Sequence, residues 1–223
     1  MNAVLTKILA TKQVTKADGT CAPLHSHIPH FECEIIQQWL QAYGCSRVIE
    51  IGLAYGISSL FICDAVAQQH NLIYHIIDPY QQRDWSGIGL YNLAAAGYGA
   101  CVEFHEEPAE SCLRRLWQAG FRCDFALIDG DHTFEKVFGD FFWINQLLVM
   151  GGLVVFDDIQ LPAIQQVVDY VQHLPGYQPL PLPADSLNST TARVRRMAGV
   201  PAARVVGFIK TPNPRDGQVL DGL

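Results

Sequence analysis

The sequence predicts an α/β protein with a doubly wound, Rossmann-like, seven-stranded and mostly parallel sheet that ends in a C-terminal antiparallel pair of strands. Three observations support this fold class. Short apolar runs alternate with helix-like stretches along most of the chain. The run at 47–51 ends in a tight turn bracketed by Gly52 and Gly56, and a helix-like stretch follows at once. Two later apolar runs end in aspartates, at strand ends where such folds bind ligands.

The composition is typical of one globular domain. The chain has 223 residues, of which 49% are hydrophobic and 17% charged. Its net charge of −7 disfavours nucleic acid as the main partner. No apolar run reaches the roughly 20 residues of a membrane-spanning helix, and residues 1–10 are too short and too weakly apolar for a signal peptide. We therefore expect a cytoplasmic protein without a membrane partner.

Composition divides the chain into three parts, of which the second contains an insertion. Residues 1–30 are predicted to form an N-terminal arm on the substrate side, either a short helix or a loosely held segment. The main domain is expected to span 31–212. Within it, the polar, arginine-containing stretch 183–203 is long for a hairpin loop and is predicted to be a substrate lid, with a disordered surface loop as the alternative. We expect the tail 213–223 to be disordered.

Apolar periodicity places the elements in order along the chain. The first core helix has apolar residues at helical spacing and is followed by Gly44, a residue type common at helix ends. Pro108 and Pro162 stand at predicted helix starts, where proline is favourable. Predicted helices cover 31–43, 58–70, 108–118, 134–150 and 162–174, a loop with a short helix covers 79–92, and predicted strands cover 47–51, 72–77, 101–104, 125–128, 153–156, 177–182 and 204–210.

Histidines and cysteines away from the strand ends give weaker signals. His25, His27 and His30 are close in sequence, but their spacing does not match a helical metal-binding pair. We expect them to line the substrate pocket with Trp85 and the 183–203 stretch; exposed loop histidines are the alternative. The seven cysteines stand singly, with no C-x-x-C pair, which is typical of reduced, buried thiols and does not indicate zinc.

The glycine turn lacks the features of a phosphate-binding loop. Its spacing is Gly52-x-x-x-Gly56 with Ala54 between, so the second glycine of a dinucleotide fingerprint is missing, and no Gly-Lys-Ser/Thr follows. Glu50 stands in the apolar strand just before the turn. A carboxylate there suits a sulfonium or ammonium group better than a phosphate. The alternative is that Glu50 caps local backbone groups and the glycines serve packing.

Asp78 ends the second predicted strand, at the edge of the expected crevice. An acidic residue about 20 positions after the glycine turn is placed to bind ribose hydroxyls. A turn-forming aspartate before Pro79 is the alternative.

The stretch that begins at Glu50 resembles motif I (E/D-x-G-x-G-x-G) of class I S-adenosylmethionine (SAM)-dependent methyltransferases, with alanine at the middle glycine. This resemblance implies SAM as the cofactor and an acidic ribose ligand at Asp78. It also implies that the loop after the third strand lies near the adenine, although Glu107 equally suits the first turn of a helix. The implied cofactor-binding residues are Glu50, Gly52, Ala54, Gly56, Ser58, Ser59, Asp78, Glu107, Ala109 and Asp129.

Four aspartates follow the fourth and fifth predicted strands: Asp129 and Asp131, then Asp157 and Asp158. These strands are expected to neighbour the first, so their carboxyl ends should open on the same crevice as Gly52. Converging carboxylates repel one another unless a cation joins them, and hard oxygen ligands suit Mg²⁺, Mn²⁺ or Ca²⁺. Helix capping is the alternative, but it accounts for one aspartate at each helix start and not for two.

The D-G-D-H stretch at 129–132 and the later Gly-Gly and Asp-Asp of 151–158 resemble the metal-dependent small-molecule O-methyltransferases, in particular those that methylate sugar hydroxyls of macrolide and aminocoumarin antibiotics. The resemblance covers about residues 30–180. It implies a divalent metal, a small-molecule hydroxyl acceptor (vicinal diol, sugar or catechol-like) and a homodimer. The implied roles are metal ligand for Asp129, Asp157 and Asp158 and general base for Asp131, with His132 as the second candidate.

Three other functions stay open at this point. One is a metal-independent methyltransferase acting on nitrogen or carbon, in which the aspartates are structural. Another is a binding protein that keeps the nucleoside site without catalysis. The third, a nicotinamide oxidoreductase, is disfavoured by the glycine spacing and by the negative charge of the crevice.

Overall fold

The computed structural model describes residues 1–213 of the 223-residue chain. The tail 213–223, predicted to be disordered, lies outside the described residues except for Asn213. Within residues 1–213 the chain forms nine strands. They are β1 Gln13–Thr15, β2 Cys21–Pro23, β3 Arg47–Ile51, β4 Ile73–Ile77, β5 Glu103–His105, β6 Cys123–Ile128, β7 Leu148–Phe156, β8 Tyr177–Pro179 and β9 Val206–Lys210.

Ten α-helices and one short 3₁₀ turn, Gly99–Cys101, connect the strands within the described residues. Most of the predicted helices are present. The stretch 79–92, predicted as a loop with one short helix, contains two helices. The α-helices are α1 Ala3–Thr11, α2 His30–Tyr43, α3 Ile57–Val66, α4 Gln81–Trp85, α5 Ile88–Ala95, α6 Ala109–Gln118, α7 Phe134–Leu147, α8 Pro162–Gln172, α9 Ala184–Leu187 and α10 Thr190–Met197.

Seven of the strands form one sheet in the order β5-β4-β3-β6-β7-β9-β8. The first five in that order are parallel, while β9 pairs antiparallel with both β7 and β8. This confirms the predicted fold class and its C-terminal antiparallel pair. One expectation needs correction: β6 neighbours β3 directly, but β7 lies one strand further out. Strands β4 and β5 lie on one side of β3, and β6 and β7 lie on the other. The strand order therefore switches between β3 and β6, and the crevice opens where these two strands end.

Side chains of the central strands are buried on both faces of the sheet. Val48 packs into a core formed with α2 and α3, whereas its neighbour Ile49 packs into a second core under α6, α7 and α8. Successive strand residues point to opposite faces, so a parallel sheet covered on both sides needs a continuous apolar run. The run Val48–Ile51 meets that need, with Glu50 as its one charged residue.

The N-terminal arm is a packed element. Helix α1 begins after Asn2, whose side chain accepts a hydrogen bond from the backbone of Val4 at 2.9 Å and donates one to Ala96 O at 2.9 Å. Leu5 and Val14 are both completely buried. Of the two predicted forms of this arm, the short helix is therefore the one adopted.

Several predicted boundaries are wrong by a few residues. The helix predicted over 58–70 ends at Val66, and the helix predicted over 134–150 ends at Leu147, because β7 begins at Leu148. Gly151, directly after the predicted helix, lies inside β7 with φ 81°. Sheet pairing extends β7 backwards, past a register shift opposite Cys123. The third strand is shifted to Glu103–His105, β6 starts earlier at Cys123, and the last two strands are shorter than predicted, at Tyr177–Pro179 and Val206–Lys210.

The stretch 183–203 is ordered and contains α9 and α10. Ala192 of α10 is completely buried, so this segment packs on the domain. The disordered-loop alternative is therefore wrong. Within residues 1–213, none of the helices combines the length and the apolar character that crossing a bilayer requires.

Candidate active site

The turn after β3 has a backbone that few residues other than glycine adopt. Gly52 has φ 95°, and a Cβ built on it would lie 2.0 Å from the carbonyl oxygen of Asp129. Ala54, at the position of the missing glycine, has φ 46°, a left-handed conformation that is costly for an alanine. Gly56 has φ 74° and precedes the first residue of α3. The turn therefore lies directly against the end of β6, at the mouth of the crevice.

Three buried polar side chains hold this turn in place. Asp78, at the end of β4, accepts hydrogen bonds from the backbone N–H groups of Leu53 (3.2 Å) and Ala54 (3.1 Å). Gln81 donates to the Ala54 carbonyl at 3.0 Å, and Asn92 donates to the Tyr55 carbonyl at 2.9 Å. Sequence reasoning missed Gln81 and Asn92, which belong to helices α4 and α5. Asp78 also accepts from the backbone N–H of Tyr80 at 2.9 Å, as the turn-forming alternative predicts, and its contact with a ribose stays a prediction.

Glu50 is completely buried beneath the turn. Its two carboxylate oxygens accept hydrogen bonds from the hydroxyls of Ser58 and Ser59, each at 2.5 Å, and from the hydroxyl of Tyr74. Burial raises the pKa of Glu50, and these three donors counteract that rise. The side chains of Ser58 and Ser59 are turned inward to Glu50, so the geometry favours a supporting role for Glu50, through side-chain hydroxyls and not through the backbone groups of the sequence alternative. Direct contact of these three residues with a cofactor stays a prediction.

The residues predicted to lie near the adenine are at the start of helix α6. Ala109 is the first residue of α6, and Glu107 forms an ion pair with Arg115 of the same helix. That pairing agrees with the helix-terminus alternative for Glu107. An adenine contact of Glu107 or Ala109 is neither supported nor opposed by this geometry.

Acidic residues and one histidine converge beside the glycine turn. Asp129 directly follows β6, His132 lies three residues further on, and Asp158 follows β7. One ligating atom of each lies within 4.8 Å of the others. This arrangement is called the aspartate cluster below. It contains two of the three predicted metal ligands and adds His132, which the sequence analysis offered as a base.

Asp157 lies next to the aspartate cluster without joining it. It is only 3% exposed, and its Oδ1 has no hydrogen-bond partner among residues 1–213. Both aspartates lie beyond the end of β7 at Phe156, and Asp158 has the left-handed φ of 53°, so the chain leaves the strand direction between them. Burial raises the pKa of Asp157 to about 7, against the opposing charge of Arg204. The pKa of Asp129 is raised well above its usual value by burial and by the charge of Asp157.

Arg204 supplies positive charge to this cluster, and sequence reasoning missed it. Its guanidinium forms an ion pair with Asp158, while its own Nε is buried without a partner among the described residues. The antiparallel register pairs Phe156 with Val206, so continuing it by two residues brings Arg204 opposite Asp158. The sequence shows an arginine just before the last strand, but only the strand register places it next to Asp158.

Asp131, the predicted base, is exposed and outside the aspartate cluster. Its Oδ1 accepts a hydrogen bond from the backbone of Thr133 at 2.8 Å, just before α7. Hydrogen bonding from the side chain and the backbone of Thr133 lowers the pKa of Asp131. The residue is therefore ionised at neutral pH and is a weaker proton acceptor than an unpaired carboxylate.

A cavity of about 570 Å³ opens between the start of α2 and the 183–203 segment. It is lined by Phe31, Glu32, Arg195 and Arg204, among others. Glu32 is 1% exposed and joins these elements, because it accepts from the Arg195 guanidinium at 2.5 Å and from the Arg204 backbone at 3.2 Å. Since Arg204 also contacts Asp158, the cavity adjoins the aspartate cluster.

The N-terminal histidines have separate environments. His25 contacts the Tyr55 hydroxyl at 2.7 Å, and its ring lies 5.8 Å from the ring of Trp85. His30 lines the cavity and lies 3.3 Å from Glu34. His27 has an Nδ1 that is buried without a partner among residues 1–213, and burial lowers its pKa. They do not form a common metal group among the described residues.

The fold and the crevice define a class I SAM-dependent methyltransferase. Residues 49–159, about half of the chain, match the family model of a methyltransferase domain. The protein is a methyltransferase, as the two motifs predicted. No curated protein matches the sequence at a significant level.

Several solved structures share the fold. An O-methyltransferase from Bacillus cereus in complex with SAH has a TM-score of 0.69 and 15% identity, over 94% of this chain and 92% of that one. TomG from Streptomyces achromogenes, an O-methyltransferase involved in tomaymycin synthesis, in complex with SAM, has a TM-score of 0.67 and 14% identity over 95% and 91%. Cofactor-bound Rv0187 from MTB has a TM-score of 0.65 and 18% identity over 96% and 92%. At these identities the likeness concerns the fold.

Proposed function

We propose that this methyltransferase transfers the methyl group of SAM to a hydroxyl oxygen of a small molecule, with a divalent cation bound at the aspartate cluster. The observation that carries the proposal is the convergence of Asp129, His132 and Asp158 within 4.8 Å, beside the glycine turn. Solved structures of similar fold include O-methyltransferases in complex with SAM or SAH, which supports oxygen as the atom that is methylated.

The residues of the cluster fit a hard divalent cation such as Mg²⁺. Asp129 and Asp158 offer carboxylate oxygens and His132 offers a ring nitrogen. Asp157 adds a buried carboxylate oxygen that lacks a partner among the described residues, so it is a fourth candidate ligand. A bound divalent metal lowers the pKa of a coordinated hydroxyl, which makes it a better nucleophile.

Asp131 is the proposed acceptor of the hydroxyl proton. It is exposed on the turn between Asp129 and α7, two residues from a proposed metal ligand, and the hydrogen bonds that lower its pKa weaken it as a base. His132, the other candidate, is the weaker choice if its ring nitrogen is used for the metal. The substitutions Asp131→Asn and His132→Asn separate the two roles, since loss of a base lowers turnover without lowering metal affinity.

The acceptor is proposed to bind in the cavity next to Arg204. Residues of α10 line that cavity, so the 183–203 segment is placed to act as a lid over the acceptor. Phe31 offers an apolar surface in the same cavity. We propose vicinal diols, sugars and catechols as the compounds to screen, because two adjacent oxygens can chelate one cation.

Calorimetry tests this proposal on the full chain. SAM and SAH are titrated with Mg²⁺ and with chelator, and Mg²⁺ is titrated into wild type, Asp158→Ala and Asp169→Ala, an exposed aspartate of α8. Binding of both nucleosides, with a Mg²⁺ heat that is lost only in Asp158→Ala, supports the proposal. A Mg²⁺ heat unchanged in Asp158→Ala contradicts the cation site, and absence of SAM binding contradicts the whole assignment.

A second candidate is metal-independent methyl transfer. The specific observation in its favour is the ion pair between Arg204 and Asp158, which already neutralises one carboxylate of the cluster. Arg204 would then supply the positive charge that the main proposal gives to the metal. Turnover that is insensitive to chelator but lost in Arg204→Gln would favour this candidate.

A further inference from the structure

Strands β4 and β5 bring two histidines and a glutamate to one face of the sheet edge. The parallel register pairs His75 with Glu103, and His105 follows Glu103 by two residues, so all three side chains lie on the same face. One ligating atom of each lies within 4.8 Å of the others. We propose that His75, Glu103 and His105 form a second metal site, which takes a divalent transition metal such as Zn²⁺. This site is independent of the aspartate cluster.

The three side chains approach one another through a hydrogen-bond contact between the two rings and a longer contact to the carboxylate. His75 Nδ1 lies 3.0 Å from His105 Nε2 and 3.4 Å from a carboxylate oxygen of Glu103. When both rings are neutral, one ring proton bridges only one of these contacts. A divalent cation accepts an electron pair from all three atoms at once, so metal binding satisfies the whole group.

The three side chains differ in their exposure to solvent. His75 is 4% exposed and packs edge-on against the Phe121 ring, with centroids 4.7 Å apart. The Glu103 side chain is 66% exposed, which gives a metal ion a path of entry and leaves room for water as a further ligand. An otherwise apolar strand, Ile73–Ile77, thus carries a buried histidine whose partners are themselves metal-ligating groups.

A carboxylate close to His105 is the candidate partner for its other ring nitrogen. Coordination through Nε2 leaves a proton on Nδ1, and a Glu107 oxygen lies within 4.8 Å of a ligating nitrogen of this ring. Histidines that bind metals commonly donate that proton to a carboxylate. In the structure Arg115 is paired with Glu107 and lies 3.4 Å from Nδ1, a long contact that metal binding would replace.

The donor set indicates the class of metal. Two imidazole nitrogens with one carboxylate suit Zn²⁺ and other borderline transition metals, whereas the aspartate-rich cluster suits harder cations. Strand β5 has only three residues and lies at the sheet edge. A metal bound here would cross-link β5 to β4 and fix the chain just before Glu107.

The test is Zn²⁺ binding to the full, chelator-treated chain in excess Mg²⁺. The variants are His105→Asn and Glu103→Gln, with His30→Asn as a matched control, because His30 and Glu34 form a surface pair at 3.3 Å. His75→Asn is less informative alone, since a buried substitution can unfold the chain. Circular dichroism checks that each variant is folded.

We expect one Zn²⁺ site whose affinity falls at least tenfold in Glu103→Gln and a hundredfold in His105→Asn. It should be unchanged in His30→Asn and in Asp158→Ala. Co²⁺ bound at the same site should give a visible absorption band that disappears in His105→Asn. Equal Zn²⁺ affinity in wild type, His105→Asn and Glu103→Gln overturns the proposal, as does Zn²⁺ binding that Asp158→Ala removes entirely.

Discussion

Two buried carboxylates on either side of the glycine turn differ in what surrounds them. Glu50, beneath the turn, is completely buried and receives hydrogen bonds from three hydroxyls. Asp157, next to the aspartate cluster, is 3% exposed, and one of its oxygens has no partner among the described residues. Both have a raised pKa because burial disfavours their charge.

The difference separates a supporting carboxylate from one available to a ligand. A buried charge is stable only when hydrogen bonds or an opposite charge replace the water it loses. The fold supplies those groups to Glu50 from α3 and β4, and it supplies Asp157 chiefly with the nearby charge of Arg204. A bound cation would give the unpaired oxygen of Asp157 a partner, whereas both oxygens of Glu50 already accept hydrogen bonds.

The largest effect is expected from Glu50→Ala. The change leaves three buried hydroxyls without their acceptor and opens a cavity, so the free energy of unfolding should fall by about 5 kcal/mol. At this chain length that lowers the melting temperature by roughly 15 °C. Circular dichroism measures it, with the exposed Glu34→Ala as control. An unchanged melting temperature combined with loss of SAM binding would show that Glu50 is a cofactor ligand. It would contradict the distinction between Glu50 and Asp157.

Asp140 gives a third buried carboxylate, on α7 beneath the Gly130 turn. Burial raises its pKa from 3.8 to about 7. The folded state then holds its proton more tightly than the unfolded state, so stability is lost as pH rises from about 4 to about 7. Asp140→Asn should remove this loss and stabilise the protein by up to about 4 kcal/mol at pH 8.

The same substitution should have little effect at about pH 4, where the folded-state carboxyl is protonated and the unfolded-state carboxyl is only about half ionised. Melting temperatures of wild type, Asp140→Asn and the exposed control Asp169→Asn, measured at the two pH values, check this. An equal effect of Asp140→Asn at both pH values would show that the carboxyl does not titrate in this range.

Asp158→Ala should separate binding from folding. Loss of a supporting residue in a metal site costs about 10–100-fold in affinity, so loss of a direct ligand should lower Mg²⁺ affinity by at least about 100-fold. The free energy of unfolding should change by less than about 1 kcal/mol, because the ion pair with Arg204 is partly exposed. A large loss of stability with unchanged Mg²⁺ affinity would place Asp158 with Glu50 among the supporting carboxylates.

Arg204→Gln should give the smallest effect. Removing a cation that competes for Asp158 should raise Mg²⁺ affinity by about fivefold, which corresponds to about 1 kcal/mol. Arg196→Gln, an exposed change on α10, is the control. Mg²⁺ affinity that falls instead would show that Arg204 organises the cluster and does not compete with the metal.

Much of the fold was predictable because the signals for it are local. Val48–Ile51 has the continuous apolar pattern of a strand buried on both faces, and the glycines at 52 and 56 mark the turn that follows. Element ends were less predictable, since pairing with a neighbouring strand extended β7 into residues that suit a helix. The fold class and the family followed from the pattern, and the boundaries followed from packing.

The sequence by itself determined which residues could form the site, because aspartates at 129, 131, 157 and 158 must follow two strands that end at one edge of the sheet. Only the tertiary structure decided how they are used. Strand register places Arg204 opposite Asp158, and packing around the end of β7 buries Asp157. The same kind of pairing, between β4 and β5, joins His75 to Glu103 and His105. These contacts link residues far apart in the chain, so their distances depend on register, which local sequence patterns do not specify.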